Sequence, residues 1–329
     1  MTVQIGFIGA GGIAGAHINA IKRIPQAKII AIADIEIEKA RQRAELVDAQ
    51  AFSDFREMID KTQLDAIWLC TPQNVRAEPI KVAIEKGIPV FTEKPVADCL
   101  ETAKAIEKQI KSSNHPVAVG YVLRYMKIVD KVRELIANDN ISLINSVYCC
   151  PMSLDYKRGN SSRNWFFQKE ISGGPIGDQA THLFDLLRFL KGEVSEVYAM
   201  ANNVIHPKTG SYTIEDVYAI AFKFEDGSLG THGHTWGHSR WVSAITLFGE
   251  KGRYELDFSG KLTYTIGDNE PITENPEDVP MYNEDIAFIE MIKKQDFSNM
   301  RSTYSDGVKT LELTTKCLEI QNNPLAKHI

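Results

Sequence analysis

Val3-Gln4-Ile5-Gly6-Phe7-Ile8-Gly9-Ala10-Gly11-Gly12-Ile13-Ala14 decides the fold. Val3–Ile8 is a short apolar run of the kind that forms a buried strand, and helical spacing follows the glycines. A strand that turns through Gly-x-Gly into a helix is the context a dinucleotide fingerprint requires. Gly9 permits the tight turn, Gly11 lets the backbone approach a pyrophosphate, and Ala14 is small enough for close helix–strand packing. Gly12 and Ile13 open the helix, where N–H groups and the helix dipole favour anions. Taken alone, this turn also suits another nucleotide, a methyl donor or a structural role. Asp34 narrows the choice. It ends the second apolar run, Ile29–Asp34, where an acid roughly 20 residues past the glycines hydrogen-bonds the adenosine ribose. A carboxylate there repels a 2′-phosphate, and Ile35 and Glu36 follow it rather than a Ser/Arg pair. The expected cofactor is NAD, with NADP less favoured; the bland alternative is a solvated Asp opening the next helix.

Working outward, Lys28–Ala33, Ala66–Cys70, Pro89–Phe91 and Val117–Gly120 repeat the short apolar pattern, separated by helical spacing such as Leu100, Ala103, Ile106 and Ile110. Alternating strand and helix predicts a doubly wound parallel sheet. Beyond residue 122 the pattern changes. A helix over Met126–Ala137 leads into longer alternating stretches at Ile144–Met152, Val194–Val204, Val217–Phe224, Leu229–Trp236, Trp241–Phe248 and Arg253–Phe258. Asp226-Gly227 and Glu250-Lys251-Gly252 suit hairpin turns. Helices are expected over Asp178–Leu190, Asn283–Lys294 and Ser305–Ile320. The expected architecture is α/β, with two domains. Residues 1–122 form the doubly wound nucleotide-binding domain. Residues 123–329 form an α/β domain with an open, largely antiparallel sheet for substrate binding and oligomerisation, its last helix able to pack back on the first domain.

The 329 residues carry 37 Lys+Arg against 43 Asp+Glu, a formal charge of −6. That mildly acidic balance, without basic clusters, argues against a nucleic-acid partner. Hydrophobic content of 43% excludes a disordered chain, and no apolar run is long enough for a membrane span. No signal-peptide pattern precedes the first strand. Five cysteines without a C-x-x-C pair argue against a disulfide framework or a thiolate metal site. A soluble cytoplasmic protein is expected.

Two further constellations carry chemistry. Thr71-Pro72-Gln73-Asn74 and Phe91-Thr92-Glu93-Lys94-Pro95 follow two strands at the carboxyl edge, where ligands bind in open α/β sheets. Lys94 there can polarise a substrate hydroxyl or carbonyl, or be an ordinary surface lysine. Asp178 and His182, four apart after Gly173-Gly174-Pro175-Ile176-Gly177, share a helix face. They fit a general acid/base aimed at a cleft, or equally a capping Asp and a satisfied core His.

The glycine turn, Glu93-Lys94-Pro95 and Asp178-x-x-x-His182, in that order, resemble the glucose–fructose oxidoreductase / inositol 2-dehydrogenase (Gfo/Idh/MocA) family over essentially the whole chain. The resemblance implies an N-terminal Rossmann domain and hydride exchange between nicotinamide and a secondary alcohol or ketone carbon of a sugar or cyclitol. It implies Lys94 as the catalytic lysine, His182 as the proton-transferring residue and Asp178 as its partner. Thr71-Pro72 matches the start of a cofactor-side loop that continues through Gln73 and Asn74, and Glu93 a contact near the nicotinamide ribose. One departure is Arg76, where the family usually has a His that lies beside the cofactor; by position Arg76 belongs with the cofactor-binding residues, and its charge adds a cationic contact for an acidic substrate. The alternatives are an NADP-linked reductase and a non-catalytic nucleotide-binding regulator.

Weaker signals concern the substrate. Tyr156, Arg163 and Trp165 form a polar, aromatic loop, and Arg124 and His238 are further candidates for substrate contact. His232 and His234 share one strand face, but no carboxylate stands at ligand spacing, so no metal is expected. One of these histidines reaching the substrate, or lying in an oligomer contact, is the preferred reading. Ala219 and Ala221 alternate with Ile220 and Phe222, so both sheet faces are apolar. Helices cover one face, and a homodimer or homotetramer is expected through the other.

Overall fold

The computed structural model describes residues 2–159 and 164–320, without the side chains of Asn164, Trp165, Glu170 and Ile320. By contact the described residues divide into two units, one of residues 2–125 and 279–311, the other of residues 126–278 and 312–320. The expected division at 122, with only the last helix returning, differs from this one in that residues 279–311 belong with the first unit.

The first unit alternates β1 (Val3–Ile8), α1 (Gly12–Ile21), β2 (Ala27–Ala33), α2 (Ile37–Glu45), β3 (Gln50–Phe52), α3 (Phe55–Lys61), β4 (Ala66–Leu69), α4 (Ala77–Lys86), β5 (Val90–Thr92), α5 (Leu100–Ser113) and β6 (Val117–Val119). The six strands are parallel, in the order β3-β2-β1-β4-β5-β6. Side chains alternate across a strand, so β1 feeds two cores. Val3, Ile5 and Phe7 join Trp68 and Phe91 on one face, and Ile8 joins Ile67 and Leu69 on the other. That double burial is why these strands read as continuous apolar runs. Short β3, with only Phe52 buried, carries no such signal and is an addition to the expected strands.

The second unit contains α6 (Lys127–Ile136), β7 (Ile141–Cys149), α7 (Met152–Lys157), α8 (Lys169–Ser172), α9 (Thr181–Lys191), β8 (Val194–Asn202), β9 (Val217–Phe224), β10 (Leu229–Thr235), β11 (Val242–Gly249), β12 (Gly252–Asp257), β13 (Lys261–Ile266) and β14 (Ile272–Glu274). Its eight strands run β14-β13-β12-β11-β7-β10-β9-β8. Among the described strands β7 and β10 alone pair in parallel, so the sheet is mixed and mostly antiparallel. Tyr218, Ile220, Phe222 and Phe224 of β9 are buried, and Phe184 of α9 packs edge-on against Phe222. On the opposite face Ala219, Ala221 and Lys223 are exposed, together with Leu143, Tyr198, Met200 and Leu229.

The chain then forms α10 (Pro280–Lys294) and α11 (Tyr304–Ile320). Phe288, Ile289 and Ile292 of α10 join Ala14, Ile18 and Ile21 of α1 in one core. An amphipathic helix shows that it has a buried face but not which core receives it, so the sequence did not assign α10 to the first unit. No described helix is long and apolar enough to cross a membrane. The five cysteines are free thiols.

Candidate active site

At the carboxyl edge of β1, Gly9 takes a left-handed φ of 96°, and a Cβ there would lie 2.7 Å from the Cys70 carbonyl oxygen. Only glycine fits this turn. Asp34, at the end of β2, reaches across to it: Oδ2 accepts from Ala10 N at 2.8 Å and Oδ1 from Glu36 N at 2.9 Å. Helix α1 begins at Gly11 with no side-chain cap, and nothing would meet a Cβ at Gly11 or Gly12 within 4 Å. An uncapped helix start beneath open space, beside a fixed carboxylate, fits a dinucleotide's pyrophosphate and ribose. Nearby, Thr71 Oγ1 is a buried hydroxyl oxygen with no partner among the described residues.

The loop after β5 is held from both sides. Arg76 is buried, and its guanidinium donates to the carbonyls of Thr71 (2.7 and 3.0 Å), Glu93 and Pro95. That fixes the Glu93-Lys94-Pro95 backbone and corrects the expectation of a cationic contact for an acidic substrate, because the guanidinium is spent on main-chain oxygens. On the inner side lies a buried network that sequence spacing does not reveal. His17 of α1, fully buried, places Nδ1 2.8 Å from Asp285 Oδ1 and Nε2 3.0 Å from Glu93 Oε1. Trp68 Nε1 donates to the same Asp285 oxygen at 2.8 Å, and Glu93 Oε2 accepts from Lys94 N at 3.1 Å. Burial alone would depress His17, but the Asp285 and Glu93 carboxylates outweigh it and hold the imidazole well above its usual 6.5. Glu93 is the mirror case: burial would raise it, and the hydrogen bond and charge of His17, then Lys94 and Arg76, hold it below its usual value. His17 sits three residues past Ala14 on the inward face of α1, but Asp285 is 268 residues away, so spacing could not pair them. Lys94 itself is half-buried.

In the second unit the expected helix over Asp178–Leu190 is two elements. A π-helical turn, Ile176–Ala180, carries Asp178, and α9 follows with His182 in its first turn. Such wide turns are uncommon in helices and recur at functional sites. Gln179 anchors this one: its Oε1 accepts from Trp236 Nε1 at 2.5 Å and its amide contacts Met152 Sδ at 3.1 Å. Asp178 and His182 are both half-buried. Asp185 is buried facing Arg188, as a structural residue would be.

The weaker candidates separate. Arg124 is buried within the first unit, donating to the Arg301 carbonyl and lying 3.5 Å from Asp306 Oδ1. Tyr156 packs among Phe167, Tyr212 and His206, with its hydroxyl 2.9 Å from Ser211 Oγ. His238 is exposed and bonds locally to Arg240. Arg163 and the Trp165 side chain lie outside the described residues.

His232 and His234 are 1% exposed on the inner face of β10, which removes the oligomer-contact reading for both. His232 Nδ1 lies 2.9 Å from Ser146 Oγ, and His232 Nε2 lies 3.2 Å from His234 Nδ1. Among the described residues no cluster could hold a metal ion. Burial depresses His232 to about 3 and His234 well below 6.5. Both rings are neutral in the fold and protonate when unfolded. Their stabilising contribution is full above about pH 6.5 and is lost as pH falls below it, at up to about 1.4 kcal/mol per pH unit for each ring. Urea denaturation from pH 7 to 5 should show this loss, and His234→Phe should lessen its slope by one proton. An unchanged slope would contradict the assignment.

Residues 3–121 match an oxidoreductase family described by its NAD-binding Rossmann fold, and residues 129–255 match the GFO/IDH/MocA C-terminal domain. An uncharacterized oxidoreductase of Bacillus subtilis, YrbE, is 30% identical over 279 residues, which is 81% of this chain and 77% of that protein. The myo-inositol 2-dehydrogenase of Thermotoga maritima is 26% identical over 279 residues, covering 82% and 79%. In fold, levoglucosan dehydrogenase in complex with NADH superimposes with a TM-score of 0.87 at 23% identity, over 98% of this chain and 97% of that one. With the glycine turn, the Asp34 contact and both domain types in place, the chain belongs to the Gfo/Idh/MocA family of oxidoreductases with an NAD-binding Rossmann fold.

Proposed function

We propose that this oxidoreductase uses NAD and transfers a hydride between nicotinamide and a secondary alcohol or ketone carbon of a polyhydroxylated substrate, a sugar or a cyclitol. The carrying observation is Asp34, fixed against the glycine turn at the end of β2 and ready to accept from a ribose hydroxyl. The relatives' named activities, on myo-inositol and levoglucosan, support the substrate class.

The chain's own residues then have distinct tasks. When bound, nicotinamide supplies the hydride-exchanging carbon. Oxidation of a carbinol also requires its hydroxyl proton to leave, and His182 is the base that accepts it. The Lys94 ammonium stabilises negative charge growing on that oxygen. Asp178 orients His182 or holds a neighbouring hydroxyl. Glu93 supports the nicotinamide ribose, and Gly11, Gly12 and Ile13 present N–H groups to the pyrophosphate. Thr71 Oγ1, with no partner among the described residues, is a donor for the coenzyme side. Pro72, Gln73 and Asn74 line the same loop.

Fluorescence titration with NADH and NADPH tests this reading. Tighter binding of NADH is expected; tighter binding of NADPH would reverse the cofactor assignment, and binding of neither would favour a non-catalytic role. The exposed apolar face of the sheet supports a homodimer or homotetramer. Sedimentation at micromolar concentration should show that oligomer, and Ala221→Arg should dissociate it; a wild-type monomer would contradict it.

A further inference from the structure

The sequence around Asp34 offers no cation for a 2′-phosphate, but the fold supplies one. Arg43, near the end of α2, turns its half-buried side chain back to the glycine turn. Its Nε lies 3.4 Å from the Ala10 carbonyl and Nη2 3.4 Å from that of Gly11. A Cβ at Gly15 would lie 2.7 Å from the guanidinium carbon, so that glycine is what lets the guanidinium lie against α1. Both contacts are long for hydrogen bonds, and a guanidinium has five N–H donors. Donors therefore remain for an anion. Asp34 holds the N–H of Ala10 while Arg43 holds its carbonyl, so an acid and a base flank one residue of the turn. The neighbouring acid, Glu36, is already paired with Lys39.

We propose that Arg43 is a coenzyme-specificity residue: Asp34 takes the ribose hydroxyls of NAD, while Arg43 offsets the repulsion that Asp34 exerts on a 2′-phosphate. This rests on the dinucleotide reading above and refines it. NADH is preferred, but NADPH is tolerated rather than excluded. An Arg–phosphate contact is charge-assisted and geometrically matched, which makes the 2′-phosphate the group most sensitive to its loss.

The test is binding, not turnover, with wild type, Arg43→Leu and Arg43→Lys, against NADH, NADPH and the fragment adenosine 2′,5′-bisphosphate. Arg43→Leu is expected to weaken NADPH and the bisphosphate by about tenfold or more while changing NADH by less than about threefold. Arg43→Lys should recover part of the loss, and the NADPH affinity of wild type should fall more steeply with salt than that of the variant. Equal weakening of NADH and NADPH would overturn the proposal and move Arg43 to the shared pyrophosphate. No change with any ligand would overturn it as well. Failure of wild type to bind either coenzyme would instead defeat the underlying dinucleotide reading, and the proposal with it. Circular dichroism of each variant separates these outcomes from misfolding.

Discussion

Replacing His17 with alanine is expected to destabilise the first unit by about 3–5 kcal/mol, the cost of removing one partner from a buried charged network. The reason is geometric. His17 is the shared donor between Asp285 and Glu93, at 2.8 and 3.0 Å, and its loss leaves two carboxylates facing each other away from water. In a unit of this size the thermal midpoint should fall by roughly 6–20 °C. His17→Gln, which can still donate one hydrogen bond, should recover part of the loss. The pH dependence runs opposite to that of His232 and His234. Because the folded value of His17 is raised, its contribution is complete below about pH 6.5 and is lost as pH rises through the folded value. Calorimetry across neutral and alkaline pH should show wild type losing stability on the alkaline side, with His17→Gln nearly flat there. A His17→Ala protein as stable as wild type would remove the network from the account.

The second large effect is catalytic. Lys94→Ala should lower kcat by about 10²–10³, the usual cost of losing one donor to a developing oxyanion. His182→Ala should lower it by about 10²–10⁴, the range for a general base. NADH affinity should change little in either variant, because neither side chain is proposed to carry the adenosine or pyrophosphate. If the two residues serve one chemical step, as proposed, the double variant should be only slightly worse than the weaker single one. Multiplicative losses would mean that they serve different steps.

The residues that were legible in the sequence are those whose meaning is local. Gly9 needs its φ of 96° whatever surrounds it, and Val3–Ile8 is buried on both faces, so turn and strand can be read without a partner. Asp34 was readable because its distance from the glycines is set by one helix and one strand. His17, Asp285 and Arg43 were not, because each gains its role from a neighbour that only the fold brings close. Asp178 was read on an ordinary helix; spacing does not show the π-helical turn, whose Gln179 bonds to Trp236, 57 residues on. Strands β13 and β14 were missed for another reason: their side chains are half-exposed, so hydrophobic alternation is weak. Arg76 was read by its charge, whereas its burial shows that it is used as a clamp for main-chain carbonyls.

The most direct test of the central claim is hydride transfer itself. Purified protein with NAD would be offered myo-inositol, levoglucosan and a panel of aldoses in turn, and formation of reduced nicotinamide followed for wild type and His182→Ala. Turnover of at least one polyol by wild type, abolished or reduced by about 10²–10⁴ in the variant, is the predicted result. Tight NADH binding with no turnover of any of them, in either direction, would contradict it and identify a nucleotide-binding protein that does no sugar chemistry.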